Sequence, residues 1–336
     1  MSGPGFSIFG TPINRGGDSV APTCVLTTSA PTYVYAAISV TATFSEVVTG
    51  FDAAGDVAVT NGSAGDPVDA GDGIVYTIAI TPTGAGTLSV QVGAGVCTDE
   101  AGNPNTASNE ITRMVLPDFG NSISYADFRQ TSGAAYQEAA RTTPATDTDD
   151  PIGSITDFTG GQHWSQTAVS GPDRRLILST LNDVPCALGN GVDQFIAQAA
   201  GDDNNQPVTI YWRGAIITLN SGYIYDGVDS GKRMALAQLS SARLTAYAGT
   251  GFNSSNNAAN TNEHVYCFVV NGASSVVYED NVSLFTGDAG SHVINGFTLF
   301  ATYAGATLFN GKMIAFAAFV GAHDEPTRTL VHTFLA

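Results

Sequence analysis

The chain has 336 residues, 43% of them apolar and only 12% charged, with a net charge of −18. Nucleic acid is excluded as a partner, because phosphate contacts need clustered basic side chains and the only lysines are Lys232 and Lys312. No apolar run approaches the roughly 20 residues that span a bilayer, so no membrane insertion is expected.

The length predicts two domains and a short appendage. With 38 Gly, 14 Pro and many Ser/Thr/Asn tracts, turns are frequent, and an all-β fold is expected. Cys24, Cys97, Cys186 and Cys267 lie far apart without CxxC spacing. This argues against zinc and favours buried free thiols over disulfides. MSGPGFSIFGTPINRGG lacks the basic and apolar regions of a secretory signal. Synthesis in a host cytoplasm is therefore expected, with release by another route such as lysis.

Residues 1–20 carry too few large apolar side chains for a core of their own: Phe6, Ile8, Phe9 and Ile13. They read as an anchoring arm that docks these four side chains into a partner; the competing reading folds the arm back on its own domain.

Residues 21–116 alternate as half-buried strands do. In AISVTATF, Ile38, Val40, Ala42 and Phe44 point one way; YTIAI repeats this with Tyr76, Ile78 and Ile80, and TLSVQV with Leu88, Val90 and Val92. Short strands separated by DAAGD, NGSAGD and TPTGAG predict a two-sheet sandwich. The order of these segments, with FSEVVTGFD and TDEAGN, resembles the bacterial immunoglobulin-like domains repeated in adhesins and phage structural proteins. In those domains the last element is the turn before the final strand. Asp99 and Asn103 suit such a bend, Gly102 supplies its backbone freedom, and the spacing is wrong for an EF-hand loop.

Residues 117–336 form the second domain. VTIYWRGAII places Val208, Ile210 and Trp212 on one face, and GKMIAFAAFV should be a central strand buried on both sides. NGA supplies a hairpin turn. Asp324 is placed to cap a final helix that docks Leu330, Val331 and Phe334. TIYWRGAI, GYIYDG, LTAYAGTGFN, VNGASSVVYEDN, FTLFATYAGATLFNGKMIAFAAFVG and the terminal helix resemble the laminin-G-like branch of the concanavalin A-like fold. The resemblance is firmest over 206–336. It implies an antiparallel jelly roll of a kind found on surface-exposed phage and bacterial proteins.

Catalytic patterns are missing. Glucanases of this fold use an ExDxxE or ExDxE strand, whereas Glu46, Glu100, Glu110, Glu138, Glu263, Glu279 and Glu325 are scattered. There is no GxSxG elbow or HExxH, and the histidines are isolated. The expectation is a protein that is not an enzyme. The acidic loops TDTDDP and GDDNNQ offer Asp147, Asp149, Asp202 and Asp203 as weak calcium candidates; solvated turns are the preferred reading, and no cofactor is otherwise expected. Glycan recognition needs aromatic faces with amides or acids beside them. The candidates are Tyr223, Tyr225 and Asp226, then Asn253, Asn256 and Asn257, and Tyr303, with sandwich core and loop tip as the competing assignments.

Together the resemblances imply a non-enzymatic virion surface protein of a tailed bacteriophage. The arm would hold capsid or tail proteins, and the jelly roll would meet host surface polysaccharide, with a homotrimer as the oligomer in view. The alternative is a bacterial adhesin or secreted glycan-binding module. A cryptic glycan hydrolase is the third reading and requires a facing pair of carboxylates.

Overall fold

A computed structural model describes residues 18–30, 33–34, 37–84, 86–115, 122–129, 133–159, 162–166, 175–219, 222–240, 242–255 and 259–336. The arm residues Phe6, Ile8, Phe9 and Ile13 lie outside them. The chain divides into two units, 1–115 and 116–336. It is all-β, with the helix Glu325–Leu335 at its end. Among the described residues no helix is long and apolar enough to cross a membrane.

In the first unit the alternation of Ile38–Phe44 is expressed as burial: Val40, Ala42 and Phe44 are inside, and Ser39 and Thr43 outside. This strand pairs with Cys24–Thr27 and Val75–Pro82, and Gly62–Ala64 extends the sheet beyond Val75–Pro82. The facing sheet runs Tyr33–Val34, Ile111–Val115, Gly86–Val92, Val57–Thr60. Between them Phe44, Phe51 and Tyr76 meet edge to face at 5.1–5.8 Å, so the FSEVVTGFD segment supplies two rings of the core. TDEAGN is the expected turn. Asp99 Oδ1 accepts from the Asn103 amide at 2.8 Å, Asp99 Oδ2 from Asn103 Nδ2 at 2.7 Å, and Gly102 sits at φ +88°.

The second unit is a large antiparallel β-sandwich. One sheet runs Pro151–Ile152, Leu176–Leu181, Val184–Asn190, Asn310–Val320, Val208–Ile216, Glu263–Val270, Ser275–Glu279, Val282–Gly287. Asn310–Val320 is central: Val208–Ile216 pairs along one edge, and Val184–Asn190 and Ser122–Asp127 share the other. The other sheet runs Ala135–Tyr136, Ser154–Ile155, Trp164–Ser165, Ile196–Ala197, Thr298–Leu299, Gly222–Asp226, Ala235–Ser240, Arg243–Tyr247, Gly251–Asn253. Val208, Ile210 and Trp212 enter the inter-sheet core as expected. Thr209, Tyr211 and Arg213 are buried too, because the other face of that strand meets the end of the chain.

Asp324 caps the terminal helix by accepting from the Thr327 amide at 3.0 Å. Arg129 Nη1 donates to the Phe334 and Leu335 carbonyls, and Arg213 Nη1 to the Leu335 carbonyl, so cations meet the negative end of the helix. The docking face differs from the expected one. Val331 and Leu335 are the buried residues and Phe334 is half-buried, whereas Leu330 is 41% exposed. The four-residue spacing from Val331 to Leu335 fixes the apolar stripe, and Leu330 falls beside it.

His323 joins the helix to the sheet, with Nδ1 2.9 Å from the Tyr211 hydroxyl. Burial, outweighing the nearby Asp324 carboxylate, pushes its pKa down from 6.5 to about 4. The unfolded chain therefore takes up this proton first. The stability the neutral ring supplies is complete above pH 6.5 and is lost as pH falls towards 4. Thermal melts across that window should show a falling midpoint, and His323→Gln should flatten the fall. An equally steep fall in the variant would place the proton uptake elsewhere.

Candidate functional site

The segment SGYIYDG forms the strand Gly222–Asp226, and a β-bulge between Tyr223 and Tyr225 decides what it presents. Strict alternation would put the two tyrosines on one face. The extra residue in the bulge turns Tyr225 into the inter-sheet core, where it is 1% exposed, and leaves Asp226 beside Tyr223. On the neighbouring strand Met234 and Leu236 enter the same core, so Arg233, Ala235 and Ala237 take the outer face. Tyr223 stands opposite Ala237, Ala237 opposite Thr245, Thr245 opposite Asn253, and Ala235 opposite Tyr247. The small alanines leave room for larger neighbours to lean over them.

Arg233 fills that room. Its guanidinium carbon lies 5.7 Å from the Tyr223 ring centroid, 5.0 Å from Tyr247 and 4.8 Å from Tyr303. Nη2 donates to Asp226 Oδ2 at 2.6 Å, and Nε donates to both carboxylate oxygens at 3.0 and 3.1 Å. Asp226 is fully buried and also accepts from the amides of Gly227 (2.8 Å) and Tyr303 (3.1 Å). Burial works against the arginine charge, but the Asp226 carboxylate outweighs it and holds the guanidinium pKa above its ordinary value. The Tyr303 amide bond ties its loop to the same anchor. Tyr303 remains 38% exposed, and Tyr247 is braced edge-on by His292 at 5.7 Å. Thr245 Oγ1 donates to Asn253 Oδ1 at 2.6 Å at the margin of this face.

The structure thus brings Tyr223, Tyr303 and Asn253 to one side of the second sheet. It removes Tyr225 as a ligand contact, because the bulge sends it inward, and it gives Asp226 a different task, because Arg233 and two backbone amides occupy its oxygens. Asn256 and Asn257 lie outside the described residues. Arg233 and Tyr247 are additions that the sequence reading missed. Period-two alternation in GKRMALAQ and RLTAYAG puts both on the outward parity, but the pairing that joins them to Tyr223 and Tyr303 is not written locally.

The acidic loops resolve differently. Asp150, not Asp147 or Asp149, organises TDTDDP by accepting from the amides of Thr146 and Asp147, which holds its pKa below the usual range. Asp147 and Asp149 face solvent. Asp203 pairs with Lys232 at 2.7 Å. Among the described residues the one group of acidic, His or Cys side chains with metal-binding proximity is Asp18, Glu46 and Asp99, whose oxygens all lie within 4.8 Å of one another. Loss of water, then the neighbouring Asp18 and Asp99 carboxylates, pushes the Glu46 pKa up. The calcium candidates Asp147, Asp149, Asp202 and Asp203 are not part of that group.

Residues 18–115 match the bacterial Ig-like domain family, so the first unit is an Ig-like domain. No curated protein matches the chain. Among solved structures, the chain is similar to domain 4 of a GH43 extracellular arabinanase from Geobacillus stearothermophilus, solved with arabinotriose. That likeness has 12% identity, covers 64% of this chain and 98% of that one, and gives a TM-score of 0.45. The binding domain of botulinum neurotoxin DC, solved with rat synaptotagmin II, shows 11% identity over 54% of this chain and 49% of that one, with a TM-score of 0.40. Trypanosoma rangeli sialidase with sialic acid shows 8% identity over 83% and 44%, with a TM-score of 0.44. The chain thus spans about half or less of the latter two proteins.

Proposed function

We propose that the second unit is a non-enzymatic module for neutral glycans, carried with its Ig-like domain as part of a bacterial adhesin or secreted lectin. The observation that carries this reading is the set of three tyrosine rings held around Arg233 on one sheet face. Sugar rings pack their C–H faces on such aromatics, while hydroxyls and amides alongside, here Thr245 and Asn253, take up the ring hydroxyls. Rigid aromatic side chains also cost little entropy on binding. Neutral sugars fit better than acidic ones, because Asp226 already balances the one cation of the cluster and the chain carries −18 overall. The same pairing supports binding without chemistry: the carboxylate within the cluster is fully buried and bonded to Arg233, with no path to a substrate. The virion-surface role rests on Phe6, Ile8, Phe9 and Ile13, and no observation among the described residues favours it over an adhesin.

The test is a glycan array followed by titration of the best neutral ligand. Tyr303→Ala, an exposed change, should weaken binding by about tenfold or more with the melting curve unchanged. Incubated oligosaccharides should be recovered uncut. An array without a neutral ligand, or unaltered affinity in both Tyr303→Ala and Tyr247→Ala, would sink the proposal.

A further inference from the structure

Eight glycines lie within the described strands, and the surroundings of seven explain them. A Cβ at Gly62, Gly189, Gly214, Gly222, Gly287 or Gly311 would stand less than 3.0 Å from a neighbouring atom, and Gly86 sits at φ +117°. Gly251 is the eighth. Its φ is not positive, and a Cβ there would lie 3.7 Å from Tyr247 Cδ2 and 3.9 Å from Thr245 Cγ2, which are ordinary contact distances. The fold has room for a side chain at this position and forgoes one, although a glycine inside a strand weakens it.

The missing side chain leaves open surface beside the tyrosines. Gly251 is exposed and stands opposite Tyr247 on the last strand of the second sheet, and Thr245 and Asn253 stand opposite each other two residues along. Thr245 Oγ1 donates its proton to Asn253 Oδ1, and no described residue takes up the Asn253 Nδ2 protons. The pair therefore presents acceptor lone pairs and a donor side by side, which is what a sugar hydroxyl requires. From Tyr223 through Ala237 and Thr245 to Asn253 is three strand spacings, about 14 Å, longer than one pyranose ring. We infer that this face takes a neutral oligosaccharide rather than a single sugar, with one ring among Tyr223, Tyr303 and Arg233 and the next over Gly251 beside Tyr247. Gly251 sets that specificity by having no side chain.

The inference rests on the glycan reading above and narrows it to a class of ligand. A side chain at position 251 would fill the place where the second ring meets Tyr247, Thr245 and Asn253. Among the described residues no strand pairs beyond Gly251–Asn253, so a longer chain can run on past the edge of the sheet, and interior stretches of a polymer fit as well as its ends. The Arg233 guanidinium is balanced by Asp226, which favours uncharged units along this path.

NMR titration of the full chain with maltotriose, cellotriose and mannotriose, each beside the methyl glycoside of its own sugar, tests it. At least one triose should bind about tenfold or more tighter than its methyl glycoside. Gly251→Val should remove that advantage and leave binding of the methyl glycoside as it was. Its melting midpoint should stay the same or rise by roughly 1–4 °C, because a strand glycine is replaced. Gly251→Ala, which adds one methyl group, should lose less of the advantage than Gly251→Val. Tyr303→Ala should weaken the triose and the methyl glycoside alike. Triose binding that needs Tyr303 but is indifferent to Gly251→Val, or equal binding of triose and methyl glycoside by the unaltered chain, overturns the inference and leaves the glycan face standing. No binding of any probe, or binding that neither variant weakens, removes the face and the inference together. A midpoint lowered by more than about 2 °C in Gly251→Val would mean that the fold requires this glycine, and also overturns the inference.

Discussion

Arg233→Met should cost the second unit about 3–5 kcal/mol, the range found when one partner of a buried ion pair is removed. The reason is the partner left behind. Asp226 is fully buried, and without the guanidinium its carboxylate keeps only the amides of Gly227 and Tyr303. The three tyrosine rings lose the cation they surround in the same step. Against a total stability of roughly 5–15 kcal/mol the loss is large, and the melting midpoint should fall by roughly 6–20 °C for a unit of this size. Removing both charges, in Arg233→Met with Asp226→Leu, should recover much of the loss, since a buried ion pair often adds little over an apolar pair. Glycan binding should stay weak in that double variant, because Tyr303 would no longer be tied down through Asp226. A midpoint change of less than about 2 °C in Arg233→Met would mean that water reaches Asp226 and that the pair is not the anchor described.

Phe316→Ala is the second large effect, again about 3–5 kcal/mol. Phe316 is fully buried on the central Asn310–Val320 strand, and its ring lies 4.8 Å from Phe297, 5.4 Å from Tyr225 and 5.8 Å from Trp164. Strands from both sheets supply these rings, so the space left behind cannot close without moving backbone on each side. Both tryptophans, Trp164 and Trp212, belong to the second unit, so their fluorescence follows that unit through a urea titration. The midpoint should shift with little change in slope. Phe316→Leu should lose less than half as much, because it refills most of the volume. Equal losses in the two variants would show that ring geometry, not volume, holds the centre.

Where one face of a strand is wet and the other dry, the sequence carries the answer locally. Val40, Ala42 and Phe44 could be assigned from alternation alone, and the near-continuous apolar run of GKMIAFAAFV marked the strand that lies between neighbours with both faces covered. The helix end was legible from Asp324 and Pro326, since a short acceptor before a proline is chemistry of the first turn. The site was legible only in part. Tyr223 and Tyr303 could be named as outward-facing candidates, while Tyr225 takes its competing core assignment because one bulged residue reverses every later side chain on its strand. Arg233 was invisible as a site residue. It lies seven positions from Asp226, and nothing in the intervening GVDSGK says that the two strands return to place these groups in contact. Leu330 failed for a related reason: a run of neighbouring apolar residues leaves more than one stripe open, and the one taken buries Val331 and Leu335, four residues apart.

All four cysteines are free and buried, two in each unit. Loss of water pushes the thiols of Cys24 and Cys267 up to about 12 and those of Cys97 and Cys186 to about 11, so hardly any thiolate exists at neutral pH. Neither unit therefore depends on a covalent cross-link, and neither exposes a sulfur nucleophile while it is closed. The folded chain keeps its four thiols away from solvent. Its sulfur chemistry begins only when a unit opens, and each unit carries its own pair of sulfurs to register that event.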